Sequence, residues 1–405
     1  MDYANLSRMI RLLPYVVLVA LVGRAAAQPA APEPPVVPAP TEPTPPPVEP
    51  PPIVDPSPPV VEPSADDPQE KKKKKKNKKT KKNQFSPYKR ARLSGFFQPF
   101  FRYTLHTNDP TEDPSVDPPN VRIQRLRIAL DGDLLPWLSY KVSIDPRSPE
   151  LVGLLRDAYF DVTKVVPHHK IRVGQQKTQF GYENNESSSD LFYVNRAEIS
   201  DALGRGTNLR DLGIGLIGRV KLGSGLRLED AITVVNGAGL NVQDDNNRRK
   251  NVFGRVGLRY KPKNADYWIR FGISGARGDI LDPGDDLLDP SDDFTEKFAR
   301  VGADLEIDTK WLFAAAEVML GRETIAGESE DLAGWYVNLV GKTPYPVGPL
   351  VRVDTFADDF RRFTFGAYYG APAARFRMLL NYEFRQLKDG VRGDDRIFLW
   401  SQVRF

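Results

Sequence analysis

Phe376, Met378, Leu380, Tyr382 and Phe384 occupy alternate positions, with Arg375, Arg377, Asn381, Glu383 and Arg385 among the residues between them. The same period of two recurs from Phe85 onward. Tyr140, Val142 and Ile144 alternate with Ser139, Lys141 and Ser143, and Tyr267, Ile269, Phe271 and Ile273 with Trp268, Arg270, Gly272 and Ser274. Successive side chains of a strand point to opposite faces, so this pattern predicts a sheet with one apolar face. No stretch of helical period stands out. Sixteen such segments can be read, beginning near Leu93, Val121, Trp137, Leu154, His169, Leu209, Leu226, Asn251, Asp266, Glu296, Trp311, Leu332, Val347, Phe360, Ala374 and Asp394.

The connections alternate in length. Long polar ones (His106–Asn120, Gly181–Asn208, Gly237–Lys250, Gly278–Thr295) alternate with tight ones (Asp133–Pro136, Gly223–Gly225, Pro262–Ala265, Thr309–Lys310). The polar face carries full charges beside glycines, and the apolar face keeps aromatics near the segment ends. Together these predict an all-β chain, a transmembrane antiparallel β-barrel of about 16 strands, set in outer-membrane lipid with a water-filled lumen. An even count puts both barrel ends on the periplasmic side. The last segment, RIFLWSQVRF, places Ile397, Leu399, Val403 and Phe405 on one face. Its terminal Phe405 resembles the signal that bacterial barrels present to their assembly machinery. Pairing this strand with the first would leave no open sheet edge.

Between KIRVGQQK and LGIGLIGRV lies a long passage without periodicity, SSSDLFYVNRAEISDALGRGTNLRD. A loop this long in a compact domain is functional or disordered, and Leu191, Phe192, Tyr193 and Val194 give it something to pack with. The lumen of a wide barrel is the available place, so the loop is expected to fold inward as a constriction. It carries Glu183, Glu186, Asp190, Glu198 and Asp201 against Arg196 and Arg205, and is net acidic. By strand parity Arg102, Arg125, Arg127, Arg375, Arg377, Arg385, Arg396 and Arg404 point inward from the first two and last two strands. These strands become neighbours when the barrel closes. The eight would form one anion-attracting wall lining the pore, opposite the acidic loop.

RVGQQKTQFGYE, the Ser-rich turn, NRAEIS and DLGIGLIG, with IQRLRIALDGDL and LRDAYFDVT before them, resemble the phosphate-selective porin family, porins O and P. The resemblance runs from about Phe96 to the C-terminus. It implies an outer-membrane diffusion channel and a homotrimer. Phosphate selection calls for concentrated positive donors at the narrowest point, and an acidic loop speaks against it. Phosphate therefore stays one candidate among small anions.

The first 84 residues differ in texture. Residues 1–27 read as a signal peptide: Arg8 and Arg11, an apolar run from Leu12 to Val22, then Ala25, Ala26 and Ala27 before Gln28. The run is shorter than the about 20 residues a spanning helix needs. Gln28 to Pro68 holds 18 of the chain's 36 prolines with no Lys or Arg, a composition that stays unfolded and extended. As polyproline II it would reach on the order of 100 Å, a periplasmic spacer. Lys71–Lys82 follows, with ten lysines in twelve positions. It reads either as a solvated tail or as a contact for an anionic cell-envelope polymer; nucleic acid does not fit an exported chain. Residues 1–84 hold 13 Lys+Arg and 9 Asp+Glu of totals of 57 and 53, leaving 44 of each. The segment 85–405 is thus neutral, and its function lies in where the charges sit.

No catalytic constellation stands out. His168 and His169 could ligate a metal but lack an adjacent third ligand, and His106 has only Asp109 and Glu112 beside it. No enzyme activity, cofactor or metal is expected, and the absence of cysteine removes any disulfide. The reading is a passive porin for small hydrophilic solutes with an anion preference. The alternative is a structural envelope tether, in which the barrel anchors the Pro- and Lys-rich arm of residues 28–84.

Overall fold

The computed structural model describes residues 91–106, 119–147, 154–205, 210–242, 244–245, 249–282, 294–325, 327–357, 360–387 and 392–405. The leader, the Pro-rich arm, the lysine run, Asp109 and Glu112 lie outside the described residues, as do the side chains of His106 and Arg205.

Sixteen strands form one closed antiparallel barrel. The first eight are β1 (Arg92–His106), β2 (Asn120–Leu135), β3 (Leu138–Ile144), β4 (Leu155–Thr163), β5 (His169–Lys177), β6 (Arg210–Gly223), β7 (Leu226–Val235) and β8 (Asn251–Tyr260). The rest are β9 (Trp268–Asp282), β10 (Phe294–Asp308), β11 (Leu312–Ile325), β12 (Glu328–Gly341), β13 (Val347–Phe356), β14 (Phe360–Tyr369), β15 (Phe376–Leu387) and β16 (Arg392–Arg404). Each pairs with its neighbours in sequence, and β16 pairs with β1, so no sheet edge is left open. The start of β1 and the end of β16 both lie at the short-turn end.

Strand starts follow the alternation closely, β12 excepted. It begins at Glu328, not near Leu332. Its GESED run reads as loop, yet Ser329 and Asp331 continue the ladder opposite Thr324 and Arg322. The Arg322 Nε donates to Asp331 at 2.6 Å, so this hairpin extends beyond its apolar stretch.

The apolar face is the exposed one. Val301, Leu305, Val318, Leu320, Trp335 and Leu339 point outward and are 42–56% exposed, while Arg300, Asp304, Glu306 and Glu317 on intervening positions are buried. A soluble sheet does the reverse; apolar outside and charged inside is the arrangement of a barrel in lipid. At the short-turn end Tyr260, Tyr267, Trp311, Tyr345, Tyr369 and Phe376 are all exposed, which forms an aromatic girdle.

What buries the inner face is the β5–β6 loop. Two apolar clusters form inside the barrel. One joins Phe180, Tyr182, Ala197, Ile199 and Leu203 of the loop to inward residues of β7–β12, among them Phe253, Met319 and Tyr336. The other joins Tyr193 and Val194 to Phe100, Val340, Leu350, Leu379, Phe398 and Trp400. The core of this barrel is therefore a packed loop, seated on the inner faces of β7–β16 and β1.

Candidate functional site

The loop enters at Gly181. Its φ of +73° suits glycine, and a Cβ there would stand 2.6 Å from the Met319 methyl. This close approach lets the Glu317 carboxylate accept the Tyr182 N–H at 2.5 Å and the Glu183 N–H at 3.3 Å, while Tyr336 donates its hydroxyl at 2.8 Å. Lys177 Nζ then donates to the carbonyls of Asn184 and Glu186 at 3.2 and 3.0 Å.

Further on, the loop crosses the lumen without a strand partner, so its carbonyls need other donors. Arginines of the wall supply them. Arg352 Nη1 reaches the Asn195 carbonyl at 2.8 Å, Arg362 Nη2 that of Arg196 at 2.6 Å, and Arg300 Nη1 that of Leu203 at 2.8 Å. Leu203 lies in a single turn of π-helix, Ser200–Arg205. Tyr193 donates its hydroxyl to the Val351 carbonyl at 2.6 Å, and Asn381 Oδ1 accepts the Val194 N–H at 2.9 Å. Phe192 packs edge-on to Tyr368, centroids 5.3 Å apart.

The charged residues expected in the loop divide by environment. Glu183 is fully buried in an ion pair with Arg352 and accepts the Ala197 N–H at 2.8 Å. Burial alone would push its carboxyl up, but Arg352 and Arg196, with that N–H, hold it below the ordinary range. Arg196 is buried too, its guanidinium on the carbonyls of Glu183 and Glu186. Glu183 and Arg196 are thus structural and do not face the pore. Glu186, Asp190 and Glu198 keep 35–39% of their side chains exposed, beside Arg270, Arg404 and Arg362 respectively. Asp201 is half-buried in the π-turn.

The expected arginine wall needs correction. Arg375 precedes β15 and is exposed at the short-turn rim, its carbonyl accepting the Arg404 N–H at 2.7 Å. Arg377 points inward but is 0% exposed, with its guanidinium on the carbonyls of Ser189 (2.7 Å) and Leu191 (3.0 Å). Arg404 bonds the Ser189 carbonyl at 3.1 Å and Asp190 at 2.6 Å. The loop presses against this part of the wall, so both arginines hold main chain; Arg377 is closed off, while Arg404 keeps 29% of its side chain exposed. Arg102, Arg385 and Arg396 point inward on adjacent strands, half-buried, toward the long-loop end. Arg385 stacks over Phe360 at 5.6 Å.

Arg125 and Arg127 also face inward, on β2, and Arg125 Nη1 reaches Gln98 at 3.3 Å. Arg127 lies among Arg210, Arg156, Asp157 and Asp145. A β-bulge adds Arg122 to this row. Gln98 faces Arg125 but Pro99 faces Ile123, which leaves Gln124 as the extra residue and resets the alternation. Arg122 turns inward over the Phe100 ring, 4.8 Å from its centroid, while Val121 and Ile123 face out. Strict parity misses Arg122. The signal is present in the sequence, because the apolar positions change from odd (Val121, Ile123) to even (Leu126, Ile128, Leu130).

His169 is tied to the outward-facing Asp230 at 2.9 Å. Among the described residues no group of three His, Cys, Asp or Glu is placed to hold a metal.

The family model for phosphate-selective porins O and P matches residues 108–329, more than half of the chain. The chain belongs to that family. Solved porins share this porin's fold at low identity. The anion-selective porin of Comamonas acidovorans has 11% identity and a TM-score of 0.54, covering 78% of this chain and 99% of that one. OmpT of Vibrio cholerae in its trimer form has 11% identity and a TM-score of 0.50 at the same coverage. OmpF of Salmonella typhi, complexed with daunomycin, has 14% identity and a TM-score of 0.50 over 78% and 97%. Comparison with curated proteins gives no match. Family and fold together make this porin an outer-membrane channel.

Glu198 adds a dependence on pH. Burial raises its pKa above the ordinary glutamate value despite the opposing pull of Arg362 and Arg385. On acidification it loses its charge before an ordinary carboxylate does, while Glu183, whose pKa is depressed, stays ionised and keeps the loop docked. The reversal potential across a salt gradient should therefore move toward anions as pH falls into the carboxylate range. Glu198→Gln should show the shifted value already at neutral pH and respond less to acid.

Proposed function

We propose that this porin is a passive channel for small hydrophilic solutes with a preference for anions, phosphate among the candidates. One observation carries the reading: Arg102, Arg122, Arg125, Arg127, Arg385 and Arg396 face inward on four adjacent strands, from the long-loop end to mid-barrel on β2. Guanidinium groups stay charged at any accessible pH and fork two hydrogen bonds to an oxyanion. Clustered in a cleft with low-dielectric walls, they raise the local anion concentration. The lumen acids beside them are partly engaged elsewhere: Glu383 takes the Asn195 amide at 3.1 Å. A homotrimer fits this reading, and OmpT, a solved relative in fold, is known in a trimer form.

The test is charge selectivity in planar bilayers. The parent channel should give a reversal potential of the anion-selective sign across a potassium chloride gradient. Changing Arg102, Arg122, Arg385 and Arg396 together to glutamine should bring the permeability ratio close to unity, most visibly at low salt, where screening beyond about 10 Å is weakest. An unchanged ratio in a folded, conducting variant would remove the arginines from the selectivity mechanism. Adding inorganic phosphate to the chloride current then separates the finer reading: a saturable block indicates a phosphate site, and a simple additive current indicates general anion preference.

A further inference from the structure

A closed barrel has one joint that differs from the others. The β1–β16 pair joins the two ends of the barrel segment, Gly95 and Phe405 closing it with N–H···O bonds of 2.9 and 3.1 Å. At the short-turn half of this joint Gln98 of β1 donates its side-chain amide to Gln402 of β16 at 2.7 Å, and both residues are completely buried. What covers them is the loop. Gln98 also reaches the Ser188 carbonyl at 3.3 Å. Gln402 reaches the Ser189 carbonyl at 3.2 Å, and the same oxygen takes Arg404 of β16 and Arg377 of β15. Four side chains from three strands on both sides of the joint thus converge on two successive loop carbonyls.

We propose that the constriction loop is also a clasp on the closing joint: its Ser188–Leu191 segment holds β15, β16 and β1 together, so the pore is narrowed only in a barrel whose first and last strands have met. Before closure, Gln98 and Gln402 belong to separate strands, so a loop seated on β15 and β16 leaves the Ser188 carbonyl without Gln98, and a loop seated on β1 leaves the Ser189 carbonyl without Gln402, Arg404 and Arg377. A carbonyl that is buried must be satisfied, so loop docking at this point favours the paired joint, and the paired joint favours docking. Anchors elsewhere, such as Arg300 on the Leu203 carbonyl, grip the loop from strands far from the joint and lack this property.

The test locks the joint covalently. The chain has no cysteine, so Phe97→Cys with Val403→Cys, facing positions of β1 and β16, gives one crosslink that can be opened or closed. The midpoint of the heat-induced gel shift is measured for the parent, for Arg377→Gln with Arg404→Gln, and for Arg300→Gln, each with the crosslink reduced and oxidised. The double variant should melt below the parent when the crosslink is reduced and close to it when oxidised. Arg300→Gln should lose as much in both states. If oxidation leaves the deficit of the double variant unchanged, these residues hold the loop alone and the clasp does not exist. Should the double variant fail to assemble, Asp190→Asn, which removes only the carboxylate facing Arg404, is read by hydrogen exchange in the native protein. Faster exchange at the β1 and β16 amides with β11 and β12 unchanged supports the clasp; a uniform change, or none, overturns it.

Discussion

Val318→Arg combined with Leu320→Arg should abolish assembly of the barrel. Both side chains point outward near the middle of β11, where the apolar surface is continuous with Val301 of β10 and Trp335 of β12. An arginine facing hydrocarbon near the bilayer midplane costs about 2–4 kcal/mol, so two cost an amount comparable with the roughly 5–15 kcal/mol that holds a typical domain folded. Arg227→Gln, on the inner face of β7, exchanges one wet polar group for another and should leave assembly intact. The measurement is the fraction of membrane-extracted protein that runs in the compact, heat-modifiable form. Normal assembly of the double variant would mean that the outward face does not meet lipid.

The second large effect concerns Arg352. Its guanidinium pairs with Glu183, both side chains buried, bonds Asn338 at 2.7 Å and the Asn195 carbonyl at 2.8 Å, and lies 4.1 Å over the Tyr193 ring. Arg352→Leu leaves the Glu183 carboxylate buried with its main partner gone, a change that costs about 3–5 kcal/mol in comparable settings. The barrel ladder does not depend on this pair, so the loss should fall on loop docking. Single-channel conductance should rise and become noisy, and residues 183–205 should become open to protease. Combining Arg352→Leu with Glu183→Gln removes the stranded charge and should recover part of the docking, a coupling that a double-mutant cycle measures. Wild-type conductance and protease resistance in Arg352→Leu would show that the loop is held by its apolar contacts alone.

The strands were legible because the period of two is written at most outward positions: lipid favours an apolar residue there, and tight turns mark the ends. The constriction loop was legible from its length and its Leu-Phe-Tyr-Val stretch. The division of labour among the arginines was not. Arg377 and Arg396 both face inward with the same chemistry, and only the path of the loop decides that one is fully buried on main chain while the other stays half-buried. A residue-level hint existed in β16. Ile397, Phe398, Leu399 and Trp400 are apolar on both faces, which in a strand means cover on both sides. Phe398 and Trp400 are indeed buried against Tyr193 and Val194, so the wall at that height is packed rather than wet. Gln124 hid Arg122 in another way, because one extra residue inverts every parity assignment beyond it.

Most of the contacts that seat the loop grip its main chain. Carbonyls of Asn184, Glu186, Ser188, Ser189, Leu191, Asn195, Arg196 and Leu203 are the points of attachment, and a carbonyl is present whatever the side chain. The water-facing side chains of the loop away from the joint, Glu186 and Glu198, are therefore the readily exchangeable part of the pore. Their replacement by residues of other charge or size leaves the fastening largely in place. One rigid frame can carry many linings, which gives a lineage of such channels a short mutational route from one diet of solutes to another.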